Sequence, residues 1–146
     1  MSMSNTSETG LLTLLFNNTA WANIGDASGL QPSATAGSFY VRLHSSDPGE
    51  AGTGDTNEIS YTGYSPVAVA RSGAGFTVSG DTVSNAATVQ FGECTAGSAT
   101  ATHFSVCVGA GAGAAILYRG TLDNTRNISS GITPLFNPAA FTGVVN

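Results

Sequence analysis

Four acidic side chains lie within one polar stretch of the sequence, residues 45–60, which we call the polar loop. Carboxylate oxygens are the ligands that Ca²⁺ prefers, so this closeness raises the question of a calcium site. Their order does not match the EF-hand pattern, and a solvated acidic loop has the same spacing. We therefore expect no metal ion and no cofactor, and calcium is kept only as the weaker alternative. The four residues are Asp47, Glu50, Asp55 and Glu58.

Two histidines, His44 and His103, are the side chains best suited to act as a general base. Neither lies beside a recognisable nucleophile turn or a carboxylate motif that would complete a catalytic group. A glycan hydrolase needs two carboxylates placed across a cleft, and no spacing in the chain predicts that arrangement. We expect both histidines at strand ends, with His44 facing solvent or a neighbouring protein. The chain is therefore predicted to have no catalytic residue and not to be an enzyme.

Gly109, Gly111 and Ala114 have the spacing of a dinucleotide-binding loop. That motif binds a pyrophosphate only where a helix begins directly after it. Here the residues that follow, Ile-Leu-Tyr at 116–118, favour a strand. We therefore predict that residues 109–115, the glycine loop, form a flexible hairpin connection or a close packing surface.

The charge balance excludes one large class of partners. Nine carboxylates are set against four arginines, lysine is absent, and the net charge is −5. Nucleic-acid binders need a basic face that displaces counterions from phosphate, so no DNA or RNA partner is expected. Only 9% of the residues are charged, against roughly 25% in ordinary soluble domains. Such a composition favours contact with neighbouring proteins over much of the surface.

The sequence predicts a protein made in a reducing cytoplasm, with no membrane partner. The first ten residues are polar and lack a basic signal region, and the longest apolar run, residues 11–16, is far too short to cross a bilayer. Cys94 and Cys107 would pair only if their strands were neighbours, so two buried free thiols are favoured. Their spacing matches no metal motif.

The clearest elements are two apolar runs on either side of the glycine loop, at 103–108 and 116–122. In the first run Phe104, Val106 and Val108 fall on one side of an extended backbone, because strand side chains alternate with period two. Two such runs joined by small residues predict a β-hairpin. Since this is the most apolar pairing in the chain, we place it in the middle of a sheet.

Further strands recur at intervals of about ten residues, separated by Gly, Ser and Asn. The run 38–44 alternates apolar residues with Tyr40, Arg42 and His44. No strand alternates with a helix, so a parallel α/β sheet is not expected. We predict one β-rich domain over residues 1–146, an antiparallel β-sandwich or barrel-like fold. The polar loop is then either mobile or used for contact.

One short helix is predicted near the N-terminus, at about residues 5–18. Asn5 and Glu8 have the spacing of a capping box. A helix this short and apolar is not stable alone in water, so we expect it to pack on its own sheet rather than on a partner. Its apolar positions are Leu11, Leu14 and Leu15 on one face, with Leu12 and Phe16 alongside, and Trp21 follows as an anchor.

Several segments of the sequence together carry a resemblance to a known protein family. They include the long N-terminal stretch SNTSETGLLTLLFNNTAWANIGDASGLQPSATAGSFYVRLHSSDPGEAG and the turns Asp47-Pro48-Gly49-Glu50, Gly63-Tyr64 and Thr102-His103-Phe104. Over nearly its whole length the chain resembles a family of small tailed-bacteriophage proteins that are usually labelled phage tail fibre proteins. The resemblance implies a virion structural protein and supplies no active-site residues.

Two hypotheses remain for the position of the protein in the virion. A fibre shaft needs coiled-coil heptads or a β-helical repeat, and the chain has neither. We therefore favour a head decoration (cement) protein on the outer surface of the virion, synthesised in the bacterial host cytoplasm. It would bridge subunits of the major capsid protein as a homotrimer, which is typical of such proteins. The alternative is a small tail fibre, tail-tip or baseplate component that binds tail proteins or a host surface receptor.

The candidate partner contacts fall into three groups. No catalytic or cofactor-binding role is predicted for any of them. The helix face and the acidic residues of the polar loop are predicted to contact the capsid. Tyrosines expected to be exposed are predicted to form a patch for a host glycan or protein. The residues are Leu11, Leu14, Leu15, Trp21, Tyr40, Asp47, Glu50, Asp55, Glu58, Tyr61 and Tyr64.

Overall fold

A computed structural model describes residues 2–145 of the chain, which form one helix and nine strands in that range. Two compact units result. The helical unit contains described residues up to 37, 70–88 and from 136 on, and the hairpin unit contains 38–69 and 89–135. In chain order the elements are α1 (Asn5–Asn17), β1 (Ser38–His44), β2 (Val67–Ala70), β3 (Phe76–Ser79), β4 (Thr82–Asn85), β5 (Val89–Gln90), β6 (Ser98–Cys107), β7 (Ile116–Ser129), β8 (Leu135–Phe136) and β9 (Thr142–Val144).

The hairpin unit is built on a four-stranded sheet in the order β2-β1-β6-β7. β6 pairs antiparallel with both neighbours, so Val106 lies opposite Val41 on one side and Tyr118 on the other. The predicted hairpin is present, and its second strand is longer than expected because it continues to Ser129. Of the two hairpin strands, only β6 lies in the interior of the sheet. The prediction that the whole hairpin is central is wrong for β7, which forms an edge.

A large irregularity interrupts the pairing of β6 with β7. Ala101 pairs with Arg126 and His103 pairs with Thr121, so Thr102 faces four residues of β7, 122–125. Extra residues on one strand of a pair bend that strand and break the ladder locally. A second, smaller register shift lies between Tyr118 and Ile116, so regular pairing is confined to residues 118–121 and 126–129 of β7.

β1 is buried on both faces at its C-terminal end. Val41 and Leu43 point into the core as the alternation predicts, but Arg42 and His44 are buried as well. The expectation that His44 faces solvent or a neighbour is wrong. The physical reason is that the polar loop folds back over this face, where Ile59 donates its backbone N–H to the carbonyl of Leu43.

The rest of the hairpin unit closes around a second small sheet, β5 with β8. Backbone hydrogen bonds from Phe91 to Pro134 and from Cys94 to Ile132 hold the segments next to these strands. Cys94 and Cys107 are both buried free thiols, as predicted.

The helical unit consists of the antiparallel sheet β3-β4-β9 with α1 packed on β3 and β4. Leu12 and Phe16 are fully buried, and the Phe16 ring meets Phe76 edge-on at a centroid distance of 4.9 Å. The helix therefore packs on its own sheet, as expected. The face formed by Leu11, Leu14 and Leu15 is only half-buried.

The bounds of α1 agree with the predicted helix at about residues 5–18, but its N-cap is one residue earlier than the capping-box pattern predicted. Ser4 is the N-cap, and its hydroxyl accepts a hydrogen bond from the backbone N–H of Ser7 at 3.4 Å. Asn5 is already helical, so the predicted box between Asn5 and Glu8 is wrong. Ser and Asn are almost equally good N-caps, and the sequence places them side by side.

The predicted fold class is confirmed: the chain is mainly β, with antiparallel sheets and one short N-terminal helix, consistent with a sandwich-like fold. No helix within residues 2–145 is long and apolar enough to cross a membrane. That residues 1–146 behave as a single domain stays a prediction, which cooperative unfolding would test.

Candidate functional site

The polar loop is held against the sheet by Arg42, whose side chain is only 2% exposed. The Nη1 group of Arg42 contacts Glu58 Oε2 at 2.6 Å and Asp55 Oδ1 at 3.2 Å. Arginine suits this position because its planar guanidinium presents several donors in fixed directions. The loop is thus an ordered segment and not a mobile one.

The other two acidic residues of the loop face a different arginine, Arg119 on β7. Asp47 Oδ2 lies 2.6 Å from Arg119 Nη1, and Glu50, whose side chain is 94% exposed, lies 3.9 Å from Nη2. A hydrogen bond from the backbone N–H of Gly49 and the pairing with Arg119 lower the pKa of Asp47. The four carboxylates therefore form two separate arginine pairs, and no group of three metal-ligating side chains occurs in the part of the chain that the structure describes.

Arg42 also fixes the glycine loop. Its Nη2 group donates to the carbonyl oxygens of Ala110 at 2.7 Å and Gly111 at 3.0 Å. From the other side Asp55 Oδ2 accepts the backbone N–H of Gly113 at 2.7 Å. Of the two alternatives predicted for the glycine loop, the close packing surface agrees with these contacts and the flexible connection does not, because one buried side chain binds both loops. The strand predicted after the loop is present as β7.

Gly54 in the polar loop makes room for the Arg42 side chain. A Cβ atom at this position would lie 2.7 Å from Arg42 Nε and 3.0 Å from its Cδ. Real Cβ atoms do not approach other atoms that closely, so any larger residue would displace the guanidinium. The two-loop arrangement therefore depends on a glycine as well as on the arginine.

His44 lies fully buried beneath the polar loop and uses both ring nitrogens. Nδ1 is 2.8 Å from the carbonyl oxygen of Thr56, and Nε2 is 2.7 Å from Ser105 Oγ. A carbonyl oxygen can only accept, so we assign the proton to Nδ1 and the donor role to the Ser105 hydroxyl. Cys107 Sγ lies 3.3 Å from the same oxygen and completes a short chain of polar groups.

The polar groups of His44, Ser105 and Cys107 resemble a catalytic serine–histidine pair only in their distances. Ser105 is fully buried, so its hydroxyl does not face a surface at which a substrate could bind. Burial lowers the pKa of His44 and raises that of Cys107, which favours the neutral form of both groups. The arrangement stabilises the junction of β1, β6 and the polar loop.

The tyrosines expected to form an exposed patch are more buried than the sequence predicted. Tyr64 donates its hydroxyl to Glu58 Oε1 at 2.8 Å, and its ring stacks on Phe91 at 5.9 Å. Burial raises the pKa of Tyr64 far above its ordinary value. Tyr61 is only 8% exposed and donates to the carbonyl of Gly92, so its predicted exposure is wrong, while Tyr40 is half-buried.

In the helical unit Trp21 packs across Gly10 of α1. A Cβ atom at Gly10 would lie 2.6 Å from Trp21 Cε2, which explains a glycine inside a helix. Arg71, which the sequence did not single out, donates to the carbonyl oxygens of Leu15 at 2.8 Å and Leu14 at 3.2 Å. A cation at a helix C-terminus satisfies unpaired carbonyls and complements the helix dipole. The predicted partner contacts of this face are not tested by these packing observations.

Sequence reasoning also missed the large apolar side chains that are exposed in the described residues. An alternating pattern cannot reveal them, because it says which face a residue occupies and not whether that face is covered. They are Ile24, Leu30, Val108, Ile132, Leu135 and Val144.

The chain matches a protein-family model described as podophage GP4 fiber I protein gp80 over residues 2–143. Together with the β-rich fold, the match first defines the class: a phage fibre-type structural protein. The chain belongs to the podophage GP4 fiber I protein gp80 family, since the match spans nearly all of its residues. The resemblance to phage tail fibre proteins is thereby confirmed, and the description agrees better with a fibre component than with a head decoration protein. No curated protein matches the chain.

Proposed function

We propose that this protein is a component of a phage fibre on the outer surface of the virion, where it contacts other virion proteins and takes part in attachment to the host. The main support is the family match over residues 2–143. The head decoration hypothesis has weaker support, because the family description names a fibre protein. The role is one of binding, without a catalytic step.

The edge strand β7 supports assembly with other chains. It is 14 residues long and mostly exposed, and no described strand pairs with its outer edge. The opposite edge strand, β2, has only four residues and follows Pro66, which has no N–H to donate. Long unpaired edges are templates for pairing with another strand. We assign the regularly paired part of this edge, residues 118–121, to contact with a second copy of the chain.

The surface formed by the polar loop and the glycine loop supports binding of a tail protein or a host surface receptor. Arg42 holds both loops in one arrangement, so neither loop has to become ordered when a partner binds. Preordered surfaces lose less conformational entropy on binding. Asp47 and Glu50 are exposed on the polar loop, and the apolar Val108 is exposed directly before the glycine loop, so these side chains can contact a partner.

Localisation on the virion tests the first part of the proposal. Gold-labelled antibodies against the purified protein should bind at the tail, and quantitative mass spectrometry should give a few copies per particle. Label over the head with hundreds of copies would instead support the decoration hypothesis, as would loss of heat resistance after the protein is stripped. Light scattering of the purified chain should give an oligomer, with a homotrimer as the specific expectation, and a monomer at every concentration would contradict contact through β7.

Competition for the host tests the second part. Purified protein added before infection should slow phage adsorption, and Glu50→Arg should weaken that effect. Asp123→Arg is a matched control, because Asp123 is an exposed acidic residue on β7 and belongs to neither of the two loops. Equal inhibition by both variants would exclude the polar loop as the contact. Release of sugar or peptide products from host envelopes would contradict a purely binding role.

A further inference from the structure

One of the connections between the polar loop and the sheet is a buried histidine, His44, and that connection depends on the histidine being neutral. His44 bridges three segments: it belongs to β1, it donates to the carbonyl of Thr56 in the loop, and it accepts from Ser105 on β6. It is fully excluded from solvent. We propose that mild acid releases the polar loop by protonating His44. This inference is independent of the proposed function.

The hydrogen bonds around His44 explain why a second proton is disfavoured in the closed loop. Nε2 is the nitrogen that would take the proton, and in the neutral ring it accepts the Ser105 hydroxyl. After protonation that hydroxyl has to rotate and donate elsewhere, and the only neighbour in the chain of polar groups is Cys107 Sγ, a weak acceptor. The ring would also hold a positive charge away from water, which burial opposes.

The charged and titratable groups around His44 do not reverse this effect. On its own strand Arg42 opposes a second positive charge, and on β6 His103 does the same. From the loop Glu58 favours the charge, but it already pairs with Arg42 at 2.6 Å. The loss of hydration is the largest of these influences, and the pKa of His44 is lowered.

Opening of the loop is the least disruptive way to hydrate the imidazolium. The bond between His44 and Thr56 lies where the loop covers β1, next to the backbone bonds from Ser45 to Asn57 and from Ile59 to Leu43. Opening has to break these backbone bonds and the contacts of Arg42 with Asp55 and Glu58, but it leaves the ladder that joins β1 to β6 intact. Segments with few backbone bonds open at lower free energy than the sheet that supports them.

Linkage fixes the size of the effect. In the open loop His44 has its ordinary pKa of 6.5, and in the closed loop its pKa is lower. The open fraction should therefore rise as the pH falls below that value, by up to about tenfold between pH 7.5 and 5.5 if the closed state takes up no proton in this range.

Limited proteolysis with a glutamyl endopeptidase that is active at both pH values measures the opening directly. Cleavage after Glu58, whose side chain is 15% exposed and clamped, requires the loop to open, whereas Glu50 at 94% is accessible in the closed loop. The ratio of first cuts at Glu58 to first cuts at Glu50 removes the pH dependence of the protease itself. In the wild-type protein this ratio should rise up to about tenfold between pH 7.5 and 5.5.

Two variants separate His44 from the other titrating groups. His44→Asn keeps a donor toward the carbonyl of Thr56 but cannot be protonated, and its cleavage ratio should not change with pH. His103→Asn is the matched control and should respond like the wild-type protein. A wild-type ratio that stays constant, or an equal rise in His44→Asn, would overturn the proposal.

A second measurement on the wild-type protein keeps the test valid if His44→Asn does not fold. Hydrogen exchange resolved by NMR and corrected for intrinsic rates should show faster opening at pH 5.5 for the amides of Ser45 and Ile59, which bond across the loop. Amides of the β3–β4 pair should not change. Unchanged exchange at Ser45 and Ile59 would refute acid release of the loop.

Discussion

Replacing Arg42 with methionine is the sharpest test of the two-loop arrangement. Methionine fills a similar volume, so the main effect is the loss of charge and of hydrogen-bond donors. Glu58 would remain as a carboxylate that is only 15% exposed, and the carbonyls of Ala110 and Gly111 would lose their donor. Removing one member of a buried ion pair costs about 3–5 kcal/mol. Since Asp55 is 45% exposed and can regain water, we expect the low end, about 3 kcal/mol of unfolding free energy.

The assay is urea unfolding followed by far-UV circular dichroism. In the double variant Arg42→Met/Glu58→Gln the uncompensated charge is gone, so it should recover about 1–2 kcal/mol relative to the single variant. Arg126→Met, at an exposed position on β7, is the matched control and should stay within about 0.5 kcal/mol of the wild-type protein. A loss below about 1 kcal/mol for Arg42→Met, or a double variant no more stable than the single one, would refute the reasoning.

Four further outcomes are expected. Gly10→Ala forces the indole of Trp21 away from α1, so the emission of this single tryptophan should shift to longer wavelength with a loss of about 1–3 kcal/mol in urea unfolding; an unchanged spectrum would contradict the packing. Asn85→Ala leaves two backbone carbonyls without the donor that the buried amide supplies, and thermal unfolding should show a loss of about 1–3 kcal/mol, whereas a loss near zero would mean that water replaces the amide. The lowered pKa of His44 means that the unfolded chain takes up a proton first as the pH falls below 6.5, so stability should decrease in that direction, and His44→Asn should flatten that part of the pH profile. If the chain is one domain, unfolding followed by Trp21 fluorescence and by circular dichroism should have the same midpoint, and separate midpoints would show that the two compact units unfold independently.

The fold could be predicted to the extent that it depends on local pattern. Alternation in 103–108 and 116–122 was sufficient to place the β6–β7 hairpin, and the apolar run after Asn5 was sufficient to place α1. The same patterns gave no information on the partner of each face. His44 is predicted to face solvent or a neighbouring protein, and here a loop of the same chain covers that face instead.

The arrangement of the site was beyond prediction for a related reason. The polar loop and the glycine loop are separated by about fifty residues of sequence and meet only because β1 and β6 are neighbours. Glycine and alanine at 109–115 predict either flexibility or close packing, since small residues impose few steric limits. A carbonyl group needs no side chain to accept a hydrogen bond, so a buried arginine orders such a loop without leaving any pattern in the loop itself.

The three arginines that bind other segments explain how so small a number of charges can order a chain with long connections. Arg42 joins two loops, Arg71 closes the end of α1, and Arg119 holds the outer part of the polar loop. Each of them bonds to two or more groups from a different part of the chain, which the single ammonium group of lysine does less well. The segments that these arginines fix are therefore ordered within the chain itself. For the proposed binding through the polar loop and the glycine loop, loops that are already ordered in the free protein raise the affinity without enlarging the contact area.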